Sequence, residues 1–465
     1  MVFDDSSYSE EEKELVKRFE HCLSEGETCY FDEDEYVMIF DYYIDNEDNK
    51  SCEKVLQFAE AQHLLSADIM DCRARLLAAE GAFDKALSVV EDALKIDNRN
   101  IDLQLTKGKI LLHTNKKDKA ESVFKSIIQI EDSDLDATLI EIGVAYRTVN
   151  MFALAKNYLS EAIRLNKENE EALSELALVY ELCDENDMAI QTYEKVLDIN
   201  PYSTQTWIAI GNIYFNLEEY EKAIEPYDYA YTIDAQQTSA LLQKGNSLFC
   251  ANKFEEAIEV YEEYNDLMGE NAECYVNIGD CYENLEQYQE AINAYERALN
   301  LNADNTNVMA NLCVANIDLE NYDIALKWIN DALEKDPEKS LYHLFKAEVF
   351  INLNQKDKAI ASYKESIRLD ETQTTAYIAI GNIYFDNQNY TTAKMYLDKA
   401  YSINPDAEDL KLFLALTHYK LGNFEKAKSL LKQACTENDN SLNVFYEICP
   451  EAKVNSFFKS FSPLK

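Results

Sequence analysis

The sequence predicts an all-α protein assembled from many copies of one short unit. The segment "IAIGNIYF" occurs at residues 208–215 and again at 378–385, which is five times 34 residues further along the chain. Alanine recurs at the same interval of 34 residues, as at Ala189, Ala223 and Ala257. The 465 residues include only 6 Pro and 10 Gly, which favours helix over β-turns. A chain of this length exceeds one ordinary globular core, so several domains or a repeat array are expected.

A second column of small residues stands at the eighth place of each unit. Its members are Ala74, Gly108, Gly143, Ala177, Gly211, Gly245, Gly279, Cys313, Ala347, Gly381 and Ala415. Glycine inside a helix is less favourable than alanine by about 1 kcal/mol, so this placement needs a structural reason. We expect the two helix backbones of each unit to approach closely there. Tyrosines recur at the eleventh and twenty-fourth places and fill the complementary columns.

These columns resemble the pattern of the tetratricopeptide-repeat family. The resemblance implies a right-handed superhelical solenoid of about twelve helix–turn–helix units over residues 33–441. The first unit is degenerate, because Phe40 stands where the small residue belongs. Residues 1–32 are predicted to form an N-terminal capping helix and an acidic linker, with Ser9 at the start of the helix. Residues 442–465 are predicted to form a C-terminal cap or tail.

Two further segments depart from the repeat pattern. In the tail, Val454, Phe457, Phe458 and Phe461 follow helical spacing, which predicts an amphipathic helix over 451–461 that covers the last unit or docks elsewhere. Pro226 falls inside the second helix of a unit, where it removes one hydrogen bond and is expected to kink the helix.

The charge balance limits the class of partner. Lys and Arg number 43 against 87 Asp and Glu, a formal charge of -44, which disfavours nucleic acid and anionic membranes as partners. A protein or peptide partner, net basic in charge, is expected instead. Eleven cysteines without a C-x-x-C pair predict reduced thiols and a cytoplasmic location. We identify neither a signal peptide nor an apolar stretch long enough to span a membrane.

In the family that the chain resembles, the fifth, ninth and twelfth places of the first helix face a concave groove. The predicted peptide-binding residues at the ninth and twelfth places are Asn212, Phe215, Asn246, Phe249, Asp280, Glu283, Asn382 and Phe385. An Asn amide offers one donor and one acceptor to a peptide backbone, and Phe offers an apolar anchor. The alternative is a recent duplication in which Asn is solvated and Phe packs on its neighbours.

The predicted function is a non-enzymatic protein–protein interaction scaffold that binds an extended peptide segment in the groove. The alternative is a regulatory or chaperone-like subunit that sequesters one specific partner. We find no catalytic motif, expect no cofactor, and predict no metal site at Cys274 and Cys281, which lack further ligands at suitable spacing. Groove places of the middle units hold Gln205, Gln243 and Asn277 rather than cations, which argues against binding of a carboxylate tail.

Overall fold

The computed structural model describes residues 9–25, 29–130, 134–438, 440–455 and 458. Within these residues the chain forms 26 α-helices and one 3₁₀ helix, and it contains no β-strand. The chain divides into two compact structural units, Met1–Asp234 and Ala235–Lys465, each made of several repeats. From this point "unit" means one of these two parts and not the 34-residue repeat.

The first unit contains thirteen helices within its described residues. They are α1 (Glu10–Glu25), α2 (Glu33–Asp45), α3 (Asn49–Gln62), α4 (Ala67–Ala79), α5 (Phe83–Ile96), α6 (Ile101–His113), α7 (Lys117–Ile127), α8 (Leu135–Thr148), α9 (Phe152–Leu165), α10 (Glu170–Glu181), α11 (Asn186–Ile199), α12 (Thr204–Asn216) and α13 (Tyr220–Ile233).

The second unit contains thirteen α-helices and the 3₁₀ helix, Pro450–Val454, again counting described residues only. The α-helices are α14 (Thr238–Cys250), α15 (Phe254–Met268), α16 (Ala272–Asn284), α17 (Tyr288–Leu301), α18 (Thr306–Asp318), α19 (Tyr322–Lys335), α20 (Ser340–Asn352), α21 (Lys356–Leu369), α22 (Thr374–Asp386), α23 (Tyr390–Ile403), α24 (Leu410–Lys420), α25 (Phe424–Glu437) and α26 (Ser441–Ile448).

Helices α2 to α25 form twelve consecutive pairs among the described residues, and in each pair a first helix packs on the helix that follows it. We call each pair a repeat, and its members the A helix and the B helix. The sequence prediction of an all-α array of helix–turn–helix repeats is confirmed. Several A helices begin at an Asn whose side chain accepts a bond from a backbone N–H, as Asn100 does from Leu103.

The glycines at the eighth place were expected to let two helix backbones approach, but they make room for a side chain instead. A Cβ added at Gly245 would lie 2.8 Å from the ring of Tyr261, and one added at Gly279 would lie 2.4 Å from the ring of Tyr295. The tightly packed neighbour is therefore a large side chain from the B helix, not its backbone. At Gly381 the neighbour is Leu397, at 2.7 Å. The glycines give the residue at the twenty-fourth place room to lie across the A helix.

The turn between the A and B helices has one residue with positive φ in each of the twelve repeats. Gly81 and Gly422 occupy this place in two repeats, with φ of 77° and 78°. The other ten repeats place a non-glycine residue there: Glu47, Asn115, Asn150, Asp184, Glu218, Asn252, Glu286, Glu320, Asn354 and Gln388. The turn closes each A helix with backbone bonds such as Glu219 N–H to Tyr214 C=O, at 2.9 Å. No sequence column had indicated this feature, because few of its residues are glycine.

Helix α1 packs at the N-terminal end of the array. The Ser9 hydroxyl accepts from the Glu12 N–H at 3.2 Å, as expected of a helix start, and the Phe19 side chain is buried against Phe31 and Phe58. The prediction of reduced thiols is wrong for two of the eleven cysteines. Cys22 and Cys29 form a disulfide, with their Cα atoms 6.1 Å apart.

The C-terminal end differs from the amphipathic helix predicted over 451–461. Residues 441–448 form α26, and the 3₁₀ helix Pro450–Val454 follows it. Pro450 begins this helix, and Val454 is exposed rather than packed. Phe458 is buried against Tyr419 and Phe445, whereas Phe457 and Phe461 lie outside the described residues.

Pro226 lies within α13 without interrupting it. The helix runs from Tyr220 to Ile233, and Pro226 is buried on its inner side. The helix is continuous at Pro226, and the predicted kink stays a prediction, because proline lacks the N–H that would bond to the preceding turn.

Candidate functional site

The predicted site residues are distributed over both units. Asn212 and Phe215 lie on α12 in the first unit. The other six lie on α14, α16 and α22 in the second unit. Within the second unit, the structure places Asn246 and Phe249 on one A helix, and Asp280 and Glu283 on the next.

Asn212 and Asn246 each form a hydrogen bond within their own repeat. The Tyr227 hydroxyl donates to Asn212 Oδ1 at 2.7 Å, and the Tyr261 hydroxyl donates to Asn246 Oδ1 at 2.8 Å. Each amide oxygen therefore uses one of its two lone pairs within the repeat, and the contact with a peptide backbone stays a prediction. The Asn246 amide nitrogen donates to Gln243 at 3.1 Å.

The phenylalanines also pack within their own repeats. Phe249 lies edge-on to Phe254, the first residue of the B helix, with ring centroids 5.7 Å apart. Phe215 and Phe385 make the same contact with Tyr220 and Tyr390, both at 5.3 Å. All three phenylalanines remain partly exposed. Each one therefore offers part of its ring as an apolar surface while its other edge is held by the repeat.

Asp280 and Glu283 are brought together on one hydroxyl. The Tyr295 hydroxyl lies 2.6 Å from Asp280 Oδ1 and 3.0 Å from Glu283 Oε2. Glu283 Oε1 is buried without a hydrogen-bond partner. Burial raises the pKa of both carboxyls, and the charge of Asp280 raises the pKa of Glu283 further. Neither carboxylate has an ion pair within the described residues.

The acidic character continues on the next two A helices of the second unit. Burial raises the pKa of Asp318 on α18 and of Glu348 on α20. The charge of Asp318 raises the pKa of both Glu283 and Glu348 further, so the three carboxylates influence one another. We call Asp280, Glu283, Asp318 and Glu348 the second-unit acidic face. The first two were predicted from the sequence, whereas the last two were not.

Asn382 differs from its sequence counterpart Asn212, although both lie in the same eight-residue segment. The twenty-fourth place of its repeat holds Leu397 instead of tyrosine, and Asn382 Oδ1 is buried without a hydrogen-bond partner. The repeated segment therefore has two different environments, and these are set by the B helix that follows it.

Models of the tetratricopeptide repeat match most of the array. One matches residues 77–138, 285–349 and 384–443, a second matches 172–201, and a third matches 204–237 and 342–373. The chain belongs to the tetratricopeptide-repeat family. A model described as anaphase-promoting complex, cyclosome, subunit 3, also matches residues 226–298. A search of curated proteins found no match.

Solved structures similar to this tetratricopeptide-repeat chain share little sequence with it. The APC/C hetero-tetramer Cut9–Hcn1 is 13% identical over 90% of this chain and 96% of that chain, with a TM-score of 0.42. Yeast Tom70 is 15% identical over 91% and 98%, with a TM-score of 0.45. The C-terminal part of a repeat protein from Cytophaga hutchinsonii is 18% identical over 51% and 98%, with a TM-score of 0.43.

The tetratricopeptide-repeat array also contains a cavity that the sequence analysis missed. It has a volume of about 590 Å³ and lies among the A helices α2, α4, α6 and α8 of the first unit. We call it the acidic cavity. Its six carboxylates are Asp34, Asp41, Asp68, Asp71, Asp102 and Glu141, and its cations are Arg75 and Lys109. A sequence signal existed, because Asp34, Asp68 and Asp102 stand 34 residues apart at the second place of three successive repeats.

Proposed function

We propose that this chain is a non-enzymatic scaffold that binds an extended, net-basic segment of another protein along its A helices. The observation that carries the proposal is Glu283, whose buried Oε1 has no hydrogen-bond partner and whose carboxylate has no ion pair in the described structure. A buried acceptor without a partner is costly, so a bound cation that donates to it would be favoured. Tetratricopeptide-repeat proteins are interaction modules, which is consistent with this role.

The second-unit acidic face would receive the basic side chains of the segment. The single proton of the Tyr295 hydroxyl is shared between Asp280 and Glu283, which keeps the two carboxyls close together and limits the side-chain entropy lost on binding. Burial raises the pKa of both carboxyls and so disfavours their charged forms. A bound cation would offset this cost by direct pairing. Charge complementarity with a chain of formal charge -44 would also speed the encounter.

The remaining predicted residues keep narrower roles in the proposal. Phe249 would hold an apolar side chain of the segment against its exposed edge, since aromatic anchors usually carry much of the affinity. Asn246 would contribute its second N–H and the second lone pair of its oxygen, because Gln243 and Tyr261 already use one of each. Asn382 and Phe385 on α22 would offer the same groups to another part of the segment. Asn212 and Phe215 on α12 remain predicted binding residues of the first unit.

The experiment is a selection of random twelve-residue peptides displayed on phage against the full chain. We expect the enriched peptides to be rich in Arg and Lys. The tightest peptide is then titrated by calorimetry against Asp280→Asn, Glu283→Gln and Phe249→Ala. Each change should weaken binding by about 2 kcal/mol if its residue is an anchor. Glu290→Gln, on the exposed first turn of α17, is the matched control and should bind normally.

Two results would contradict the proposal. The first is a set of selected peptides with no enrichment of basic residues. The second is an equal loss of affinity in the Glu290 control and in the acidic-face variants, which would indicate attraction to the overall negative charge only. Circular dichroism of every variant establishes that the fold is retained before binding is compared.

A cytoplasmic location stays part of the proposal and depends on the nine free cysteines. The disulfide between Cys22 and Cys29 removes some of the support that the thiols offered. None of the helices in the described part of the chain is long and apolar enough to cross a bilayer.

A further inference from the structure

The acidic cavity of the first unit is separate from the second-unit acidic face and has its own set of contacts. Three of its six carboxylates are already engaged. Arg75 Nη1 lies 2.7 Å from Asp41 Oδ1, and Lys109 Nζ lies 2.5 Å from Glu141 Oε2. Asn100 Nδ2 donates to Asp68 Oδ1 at 2.8 Å. Arg75 and Lys109 thus each pair with one acid. Asp34, Asp71 and Asp102 are the three carboxylates outside these contacts.

Asp71 is the central one of these three and is the most deeply buried. Its side chain is only 6% exposed, and it lines the cavity from α4. The Thr106 side chain bonds to the Asp71 carboxyl, yet Asp71 Oδ1 has no hydrogen-bond partner. Asp34 and Asp102 flank it on α2 and α6, and neither forms an ion pair within the described residues. Three successive A helices therefore each contribute one carboxylate without an ion pair of its own, although the charges of Arg75 and Lys109 partly stabilise Asp71 and Asp102.

We propose that the acidic cavity binds the guanidinium group of an arginine side chain presented by a partner protein, with Asp71 at its floor and Asp102 at its rim. A planar guanidinium has five N–H donors and can meet carboxylates from two helices at once. It is also weakly hydrated, so it enters a half-enclosed site more readily than an ammonium group. Val37, Leu105 and the exposed Met38 line the same cavity and would contact the aliphatic part of the side chain.

A metal ion is a poorer fit for this cavity. Among the residues that the structure describes, no group of three or more His, Cys, Asp or Glu side chains is arranged to hold a metal. The six carboxylates are spread over four helices, and three of them are engaged by Arg75, Lys109 and Asn100. A ligand that spreads its positive charge over several donors suits this arrangement better than a compact ion.

This inference goes beyond the proposed function, because it names a second site in a different unit and the chemical group that it accepts. Either site can fail without the other. Variants of Asp280 and Glu283 test the second-unit acidic face, whereas variants of Asp71 and Asp102 test the acidic cavity.

The test uses the full chain and a capped tetra-arginine peptide, with binding measured by calorimetry at physiological ionic strength. A capped tetra-citrulline peptide of the same length is the neutral control ligand. Asp71→Asn keeps the shape of the side chain and removes its charge, and Asp102→Asn does the same at the rim. Asp84→Asn removes one charge from an exposed place on α5 that does not line the cavity.

We expect the Asp71 and Asp102 variants each to weaken tetra-arginine binding by about tenfold or more, since bonds between charged groups are the strong ones. Binding by Asp84→Asn should stay within about twofold of the parent, because exposed charges contribute little. Equal weakening by all three variants would overturn the proposal, since the net charge alone would then explain binding. If spermine bound as tightly as tetra-arginine, with the same dependence on Asp71, the guanidinium assignment would be wrong. If Asp71→Asn failed to fold, Asp102→Asn would decide the question.

Discussion

The tyrosine at the twenty-fourth place of a repeat has two roles at the scale of single residues. Its ring lies against a glycine of the A helix, and its hydroxyl bonds the polar residue at the ninth place. We expect Gly245→Val to lower the free energy of unfolding by about 1–3 kcal/mol, because the added atoms meet the Tyr261 ring. Valine has a higher helix propensity than glycine, so any loss reports the clash. Urea denaturation followed by circular dichroism measures it. A variant as stable as the parent would show that the ring can move aside.

The duplicated segment offers a matched pair of substitutions. Asn212 accepts a bond from Tyr227, whereas Asn382 Oδ1 is buried without a partner. We expect Asn212→Leu to cost about 1–3 kcal/mol, because it leaves a buried hydroxyl unpaired. Asn382→Leu should leave stability unchanged or raise it, because it removes a polar atom that lacks a bond. Denaturation curves of the two variants test this difference, and equal costs would contradict it.

We expect the buried Asp71 carboxyl to make the stability of the protein without ligand depend on pH. Burial raises the pKa of Asp71 from its ordinary value of 3.8 to about 6. A raised carboxyl pKa makes the folded state hold its proton more tightly, so this residue's contribution to stability falls as pH rises from about 4 to 6. Arg75, Lys109 and Thr106 favour the charged form, and Asp102 opposes it.

We therefore expect Asp71→Asn to stabilise the chain at pH 8 but not at pH 4. One pKa unit corresponds to 1.36 kcal/mol, so the gain at pH 8 would be on the order of 3 kcal/mol. Denaturation of both proteins at the two pH values isolates this carboxyl from the other acids. A gain that is equal at pH 4 and pH 8 would mean that Asp71 does not titrate in this range.

At the scale of the helix pair, the turn with positive φ is the feature shared by all twelve repeats. Gly81 adopts φ of 77°, and a Cβ there would meet nothing within 4 Å. Its replacement by alanine therefore tests backbone conformation alone. We expect Gly81→Ala to lower stability by about 1 kcal/mol, since a left-handed residue with a Cβ is strained. Thermal melts of the variant check this, with Ala82→Gly as a neighbouring control. An unchanged melting temperature would show that the turn relaxes.

Comparison of the helix pairs with the sequence columns shows which features the sequence could predict. The 34-residue period is visible because every repeat solves the same packing problem, which makes the small-residue columns regular. The turn was missed because Glu, Asn, Asp and Gln share its left-handed place with only two glycines. The Tyr227–Asn212 bond was missed because its partners stand fifteen residues apart in separate columns. Two further features were missed, the disulfide of Cys22 and Cys29 and the floor of the acidic cavity. Both depend on tertiary contacts between elements, and a column of repeated residues does not reveal such contacts.

At the scale of the whole molecule, the excess of 44 negative charges opposes folding by self-repulsion. Several exposed ion pairs, such as Lys95 with Asp92, act in the opposite direction, but pairs of this kind contribute little. Screening should therefore help the folded state more than it harms it. We expect the melting temperature to rise between about 0.01 M and 0.15 M sodium chloride, as the Debye length falls from about 30 Å to about 8 Å. Tetramethylammonium chloride at equal ionic strength should give the same rise if screening is the cause, and scanning calorimetry measures both. A melting temperature that falls with salt would mean that attractive ion pairs outweigh the repulsion. The carboxylates of the second-unit acidic face and of the acidic cavity would then be better compensated by cations than their contacts indicate.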